Sequence, residues 1–192
     1  KGIARRFAQE GADVIIAEFD AATGAATTAE IVAEGGAARF IPVDVTDKAS
    51  VLALMATAGP VDILVNNAWR GSGVSRFERK TDEQIDTALR MGPYAAKWAM
   101  DAALPHMKAQ NWGRVINMAS LNGVNAHMGS ADYNVAKEAV RAYSRTAARE
   151  WAPYGICCNV ICPAAWSASS RPSKVTPARM PRATMAFAPA LP

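Results

Sequence analysis

Tyr133 and Lys137 stand four residues apart in SADYNVAKEAV, residues 130–140, among helix-forming alanines and a glutamate. On a helix, positions i and i+4 share a face one turn apart, so the phenol and the ammonium are expected side by side. A free tyrosine has a pKa near 10, too high for proton exchange at neutral pH. A fixed ammonium beside it favours the phenolate. Such a pair suits an acid–base step, in which the phenol protonates a carbonyl oxygen or the phenolate takes a proton from an alcohol. Ser120 lies thirteen residues before Tyr133, enough for a loop to return and bring a hydroxyl beside the phenol. Taken alone, the pair has a plainer reading as exposed residues of an amphipathic helix.

Short apolar runs alternating with helical patterns must position these groups. Strands are expected at 12–18, 38–43, 61–67, 114–120 and 156–162, and their nearly continuous apolar character suits a parallel sheet covered on both faces. Helices are expected at 1–10, 22–34, 47–57, 82–108 and 131–152. Gly11, Gly35, Gly36, Gly59, Gly113 and Gly155 punctuate the helix-to-strand crossings, as C-terminal capping glycines would. The alternation predicts a doubly wound, Rossmann-like α/β domain over residues 1–167. Residues 168–192 are rich in proline and arginine and show no period, so an irregular tail is expected there.

The chain has 192 residues, 51% of them hydrophobic and 20% charged, which suits one domain. No apolar run reaches the roughly 18 residues of a membrane span. The net charge of +4 is accounted for by Arg171, Lys174, Arg179 and Arg182 of the tail. The body is therefore neutral and lacks the basic footprint of a nucleic-acid binder. Cys157, Cys158 and Cys162 read as reduced thiols on a buried strand, which points to the cytoplasm. Neither they nor His106 and His127 have metal-ligand spacing, so no metal is expected.

Ligands of such a fold bind beyond the carboxyl ends of the strands, where LVNNAW, NMASLNG and the helix of Tyr133 converge. With Ser120, Tyr133 and Lys137 in order, and with PVDVTD, Asn66–Asn67–Ala68 and NVICPA at their places, the chain resembles the short-chain dehydrogenase/reductase family from residue 1 to about 165. The resemblance implies a dehydrogenase or reductase that interconverts a small alcohol and a ketone by hydride transfer. Tyr133 is then the acid and base, Ser120 positions the substrate oxygen, and Lys137 also bonds the nicotinamide ribose. It implies cofactor contacts at Glu18, Asp44, Val45, Asn66, Ala68, Met118, Pro163 and Ala164, each of which alone also has a plain strand-end reading. Glu18 stands where the family's acidic residue meets the adenosine ribose, so NAD is expected rather than NADP. The parent enzyme of such a chain is expected to be a homo-oligomer.

The sequence also departs from the family. The glycine-rich phosphate turn has no match, and Lys1–Gly2–Ile3–Ala4 resembles the family's segment just beyond that turn. The first strand and the C-terminal strand are therefore expected to be missing, leaving a gap between part-sheets or a direct pairing of 13–18 with 61–66. Trp69 stands where the family has glycine, and Gly92 where it has a helix asparagine. A catalytically silent fragment or pseudoenzyme, kept as a scaffold, is the alternative reading.

Overall fold

The computed structural model describes residues 1–71 and 73–163. Helices α1 (Gly2–Gln9), α2 (Ala21–Ala33), α3 (Lys48–Ala58), α4 (Asp82–Leu89), α5 (Ala95–Ala109), α6 (Leu121–Val124) and α7 (Ala131–Trp151) are threaded among the strands. The strands are β1 (Asp13–Glu18), β2 (Ala37–Pro42), β3 (Ile63–Asn66), β4 (Gly113–Met118) and β5 (Ile156–Ile161). β1 pairs with β2, β3 with β4 and β4 with β5, all parallel. This is the expected Rossmann-like α/β fold.

Local chemistry starts the helices where the sequence places them. The Asp20 carboxylate accepts the Thr23 amide at 2.6 Å, and Asp47 accepts the amides of Ala49 and Ser50. Thr81 and Gln84 form a reciprocal capping box at the start of α4. Each such cap satisfies amides that the first helical turn leaves without partners.

The sheet is split as one of the two expected outcomes had it, into β1–β2 and β3–β4–β5. Among the described residues no ladder joins β1 to β3, so each presents an edge of unpaired backbone groups. Side chains hold the halves together instead. Val43 after β2, with Val51 and Met55 of α3, packs into one core with Met100 and Met107 of α5, Val115 of β4 and Trp151 of α7. The helices beside β1 and β2 are tied by ion pairs, Lys1 to Glu30 at 2.7 Å and Arg5 to Glu34, which join α1 to α2.

Several expectations need correction. The helix expected over 82–108 is interrupted by a wide π turn, Arg90–Tyr94. Pro93 has no amide hydrogen to donate, and its ring displaces the carbonyl one turn back, so the backbone widens there. Gly113 opens β4 rather than capping α5. The left-handed residue at that crossing is Asn111, at φ 53°, while a Cβ on Gly113 would sit 2.6 Å from Met107. The cysteine strand is not uniformly buried, because β5 alternates: Cys158 is buried and its thiol pushed up to about 12 by that burial, whereas Cys157 is exposed. The 121–132 segment also carries the short helix α6, capped by Ser120. Among the described residues no helix is long and apolar enough to cross a membrane, and no cluster of side chains suits a metal ion. The expected tail lies outside the described residues.

Candidate active site

Three strand ends supply the floor of the site. Asn66, Asn117 and Val160 are in register across β3, β4 and β5, so the chain leaves all three strands at one edge. From that edge β4 runs into Ala119 and Ser120, whose hydroxyl accepts the Asn122 amide at 3.2 Å and caps α6. α7 then returns past the same edge. Its i, i+4 geometry places Tyr133 and Lys137 on one side, with the Lys137 Nζ 5.6 Å from the centre of the Tyr133 ring. The half of the expectation that concerned these two residues is therefore realised. Ser120 is brought near by sequence and is buried, but among the described residues no hydrogen bond joins its hydroxyl to the Tyr133 phenol.

Lys137 is unusual for a lysine. It is only 5% exposed, and its ammonium donates to the Met118 carbonyl at 2.8 Å. Burial disfavours the charged form and lowers its pKa from the ordinary 10.5 to about 8. The ammonium thus remains the major form at neutral pH, able to support a phenolate beside it. Met118, expected as a cleft residue, acts through its backbone.

The shift makes a prediction about stability. Below about pH 8 both the folded and unfolded chains hold the Lys137 proton, and above 10.5 neither does. Between these values only the unfolded chain binds it, so stability rises with pH. Relative to Lys137→Met, the native chain should gain up to about 3 kcal/mol from pH 8 to 10.5, using 1.36 kcal/mol per pKa unit. Urea unfolding of both chains across that range checks this, and a difference flat in pH contradicts it.

The indole of Trp69 lies over this pair. It meets the Tyr133 ring edge-to-face with centroids 4.9 Å apart and planes at 78°, and the Lys137 Nζ sits 4.6 Å from its centre. The π turn accommodates it: a Cβ on Gly92 would stand 3.2 Å from the Ala136 Cβ and 3.5 Å from Trp69 Cζ3. Both departures flagged in the sequence, Trp69 and Gly92, thus meet at the Tyr133–Lys137 pair.

The remaining expected residues divide. Glu18 ends β1, and its Oε1 accepts the amides of Phe19 and Asp20 at 2.8 and 3.3 Å, leaving Oε2 outside both bonds. The Asp44 carboxylate closes a turn, accepting the Thr46 hydroxyl at 2.7 Å and the Thr46 amide at 2.9 Å. Those bonds hold it below the ordinary carboxylate range, with the Arg70 guanidinium a lesser contributor. Val45 packs against the core and Ala68 is exposed. Asn66 donates to the Asn117 Oδ1 at 2.7 Å, which ties its amide into the protein. Pro163 is exposed and its carbonyl accepts the Leu121 amide, while Ala164 lies outside the described residues.

Sequence reasoning missed three features. Asn117, wholly buried, donates to the Ser144 hydroxyl at 2.9 Å, and Ser144 donates to the Val140 carbonyl, so a polar chain runs from β3 through β4 into α7. A polar residue inside the apolar run RVINM was a signal for it. Lys80 and Asp132 form a buried ion pair at 2.9 Å, directly before Tyr133. No local pattern announces that contact. Arg70 reaches the carboxyl end of β1, its guanidinium 5.8 Å from the Phe19 ring centre.

Comparison with known proteins gives consistent results. The profile of a family described as short chain dehydrogenase matches residues 1–177. A Bacillus subtilis (strain 168) protein named uncharacterized oxidoreductase YxjF is 37% identical over 167 residues, which covers 84% of this chain and 64% of that protein. The crystal structure of an NAD+-bound xylitol dehydrogenase superposes with a TM-score of 0.79 at 29% identity, over 83% of this chain and 63% of that one. A metagenomic short-chain oxidoreductase in complex with NADP gives a TM-score of 0.80 at 27% identity, over 85% and 76% respectively. The chain thus spans just under two thirds of the length of the Bacillus protein.

Proposed function

Because the chain belongs to the short-chain dehydrogenase family, we propose that it serves an oxidoreductase that interconverts a small alcohol and a carbonyl with NAD(H), using Tyr133 as general acid and base. The observation that carries this reading is the Tyr133–Lys137 pair at the common edge of three parallel strands, with the ammonium buried and fixed on the Met118 carbonyl. A nicotinamide cofactor, when bound, supplies or accepts the hydride.

The donor set fits such a cofactor. An ammonium has three N–H donors. One is spent on Met118, which leaves others for ribose hydroxyls. Glu18 offers a carboxylate oxygen at the far end of the cleft, already oriented by its two backbone donors. In the reductive direction the Tyr133 hydroxyl protonates the developing alkoxide, and Lys137 stabilises the phenolate left behind. In the oxidative direction the same oxygen takes the alcohol proton. Ser120 holds the substrate oxygen through its hydroxyl hydrogen, which its bond to Asn122 leaves available because the oxygen is the acceptor there.

Incubating the protein with NAD and a panel of secondary alcohols, and following the absorbance of reduced nicotinamide, tests the reading. Production of NADH is expected, and failure with every alcohol together with no binding of NADH overturns it. The second reading, a silent scaffold, is favoured by one observation: the Trp69 indole covers both reacting side chains.

Cofactor choice rests on Glu18. A carboxylate accepts hydrogen bonds from two ribose hydroxyls and repels the extra phosphate of NADP. Arg5 and Arg6, the bases on the preceding helix, are engaged by Glu34 and Glu10. Arg70 is the cation that reaches this corner, and it faces Phe19 and Asp44. A clear preference for NAD is therefore expected, reduced or reversed in Glu18→Arg. The ratio of kcat/KM for the two cofactors measures it, and equal use of both by the native chain ends the role given to Glu18.

A further inference from the structure

Trp69 comes after β3 in a stretch without regular structure, yet its indole is anchored at the centre of the site. Its face is turned to the Lys137 ammonium at 4.6 Å, and its ring meets Tyr133 edge-to-face at 4.9 Å. Both geometries are attractive: a cation over an aromatic face gains from the ring quadrupole, and so does an edge-to-face pair. The ammonium has need of that contact. Among the described residues Lys137 has no carboxylate in an ion pair, and its one hydrogen bond goes to a backbone carbonyl. A buried cation without a counter-charge is costly, and an aromatic face offsets part of that cost. The next residue along is held more softly, since the Arg70 amide donates to the polarisable Met91 sulfur at 3.1 Å. The Arg70 guanidinium then extends the other way, towards Phe19. The dipeptide thus spans the gap between the two sheets, with one side chain at each end of the cleft.

We propose that Trp69 is the site's own cover: its indole occupies the face of Tyr133 and Lys137 that a nicotinamide ribose takes, and it swings aside when the cofactor binds. This rests on the cofactor reading above. A ribose hydroxyl needs the N–H donors of Lys137 that now point towards the indole. The indole and the ribose cannot share that face, so the two compete. The cover also keeps water from the ammonium while the cleft is open. Two features leave room for that swing: Trp69 belongs to no helix or strand, and Gly92 presents no side chain against its indole.

Two readouts on the purified protein, native and Trp69→Ala, test the cover and its competition separately. The first is the rate at which a water-soluble acylating reagent labels Lys137, followed by peptide mapping, with exposed Lys97 as internal control. The second is NADH affinity from cofactor fluorescence. Lys137 labelling is expected to rise about ten-fold on loss of the indole, with Lys97 unchanged, and NADH to bind about ten-fold more tightly, the scale of a desolvated cation–π contact. Unchanged labelling in a folded variant overturns the cover. Faster labelling with equal NADH affinity overturns the competition. Faster labelling with no NADH binding by either chain upholds the cover and counts against the cofactor reading instead. Should Trp69→Ala fail to fold, Trp69→Phe, which keeps a smaller ring, is expected to show both effects in reduced form.

Discussion

Replacing Tyr133 with Phe is expected to lower turnover by about 10²–10⁴-fold and to leave NADH binding nearly unchanged. The substitution removes only the hydroxyl. The ring that meets Trp69 at 4.9 Å and stands 5.6 Å from the Lys137 Nζ is retained, so the local packing survives. At 1.36 kcal/mol for each factor of ten, the loss corresponds to about 3–5 kcal/mol of transition-state stabilisation. A proton donor acts in the transition state and hardly at all in the ground state, so kcat and kcat/KM should fall together. Steady-state kinetics of the two chains, with NADH titrations beside them, measure both parts. Near-normal turnover in Tyr133→Phe refutes the assignment. A rise in KM alone would move Tyr133 from chemistry to substrate binding.

The elements that carry this prediction are legible in the sequence because their signals are local. All five strands lie within two residues of their expected bounds, since apolar runs between glycines and helix caps are short-range patterns. The Tyr133–Lys137 adjacency comes from helix geometry and needs nothing else. The sequence narrows the sheet to two outcomes, a gap between part-sheets or a direct pairing of 13–18 with 61–66, and the choice of the gap is made only by the fold. Local patterns mislead where tertiary terms compete with them. Periodicity absorbs Pro93 into a long helix, although its ring forces a wide turn that α7 and Trp69 then pack against. Gly113 looks like a cap, but the reason for it is the closeness of Met107.

The site residues show the same division. Glu18 and Asp44 have the same positional claim to the cofactor, and each has one carboxylate oxygen engaged twice and the other outside those bonds. They differ in their donors: Glu18 Oε1 accepts two backbone amides, whereas Asp44 Oδ1 accepts the Thr46 amide and hydroxyl and so closes a turn. Asn66 is expected in the cleft, and its side-chain amide starts a polar chain to Asn117 and Ser144. That chain couples the strand ends to α7 one turn beyond Val140, and so helps fix the helix that bears Tyr133 and Lys137. Trp69 is legible as a departure, but its contact with both members of the pair requires the fold.

The largest stability effect is expected where no local pattern warns of it, at Lys80 and Asp132. Their side chains are 2% and 0% exposed and 2.9 Å apart, and the Lys80 Nζ also donates to the Gly73 carbonyl at 3.0 Å. Asp132 stands in the first turn of α7, where the positive end of the helix dipole favours its charge. Removing one member leaves the other charge buried, and such single deletions cost about 3–5 kcal/mol. Replacing both by apolar residues of similar volume removes both buried charges, so the pair itself contributes far less than its breakage suggests. Lys80→Met and Asp132→Leu should therefore each destabilise by about 3–5 kcal/mol, and the double variant should recover most of the loss. Urea midpoints for the four chains of this cycle give the coupling directly. The consequence reaches the chemistry, because the pair pins the segment before α4 to the first turn of α7 through Asp132, one residue ahead of Tyr133. Turnover in the double variant should fall even where stability returns, since an apolar contact holds that turn with less directional control than an ion pair. Single variants that cost less than about 1 kcal/mol would show that the two charges reach water and that the turn is held by other contacts.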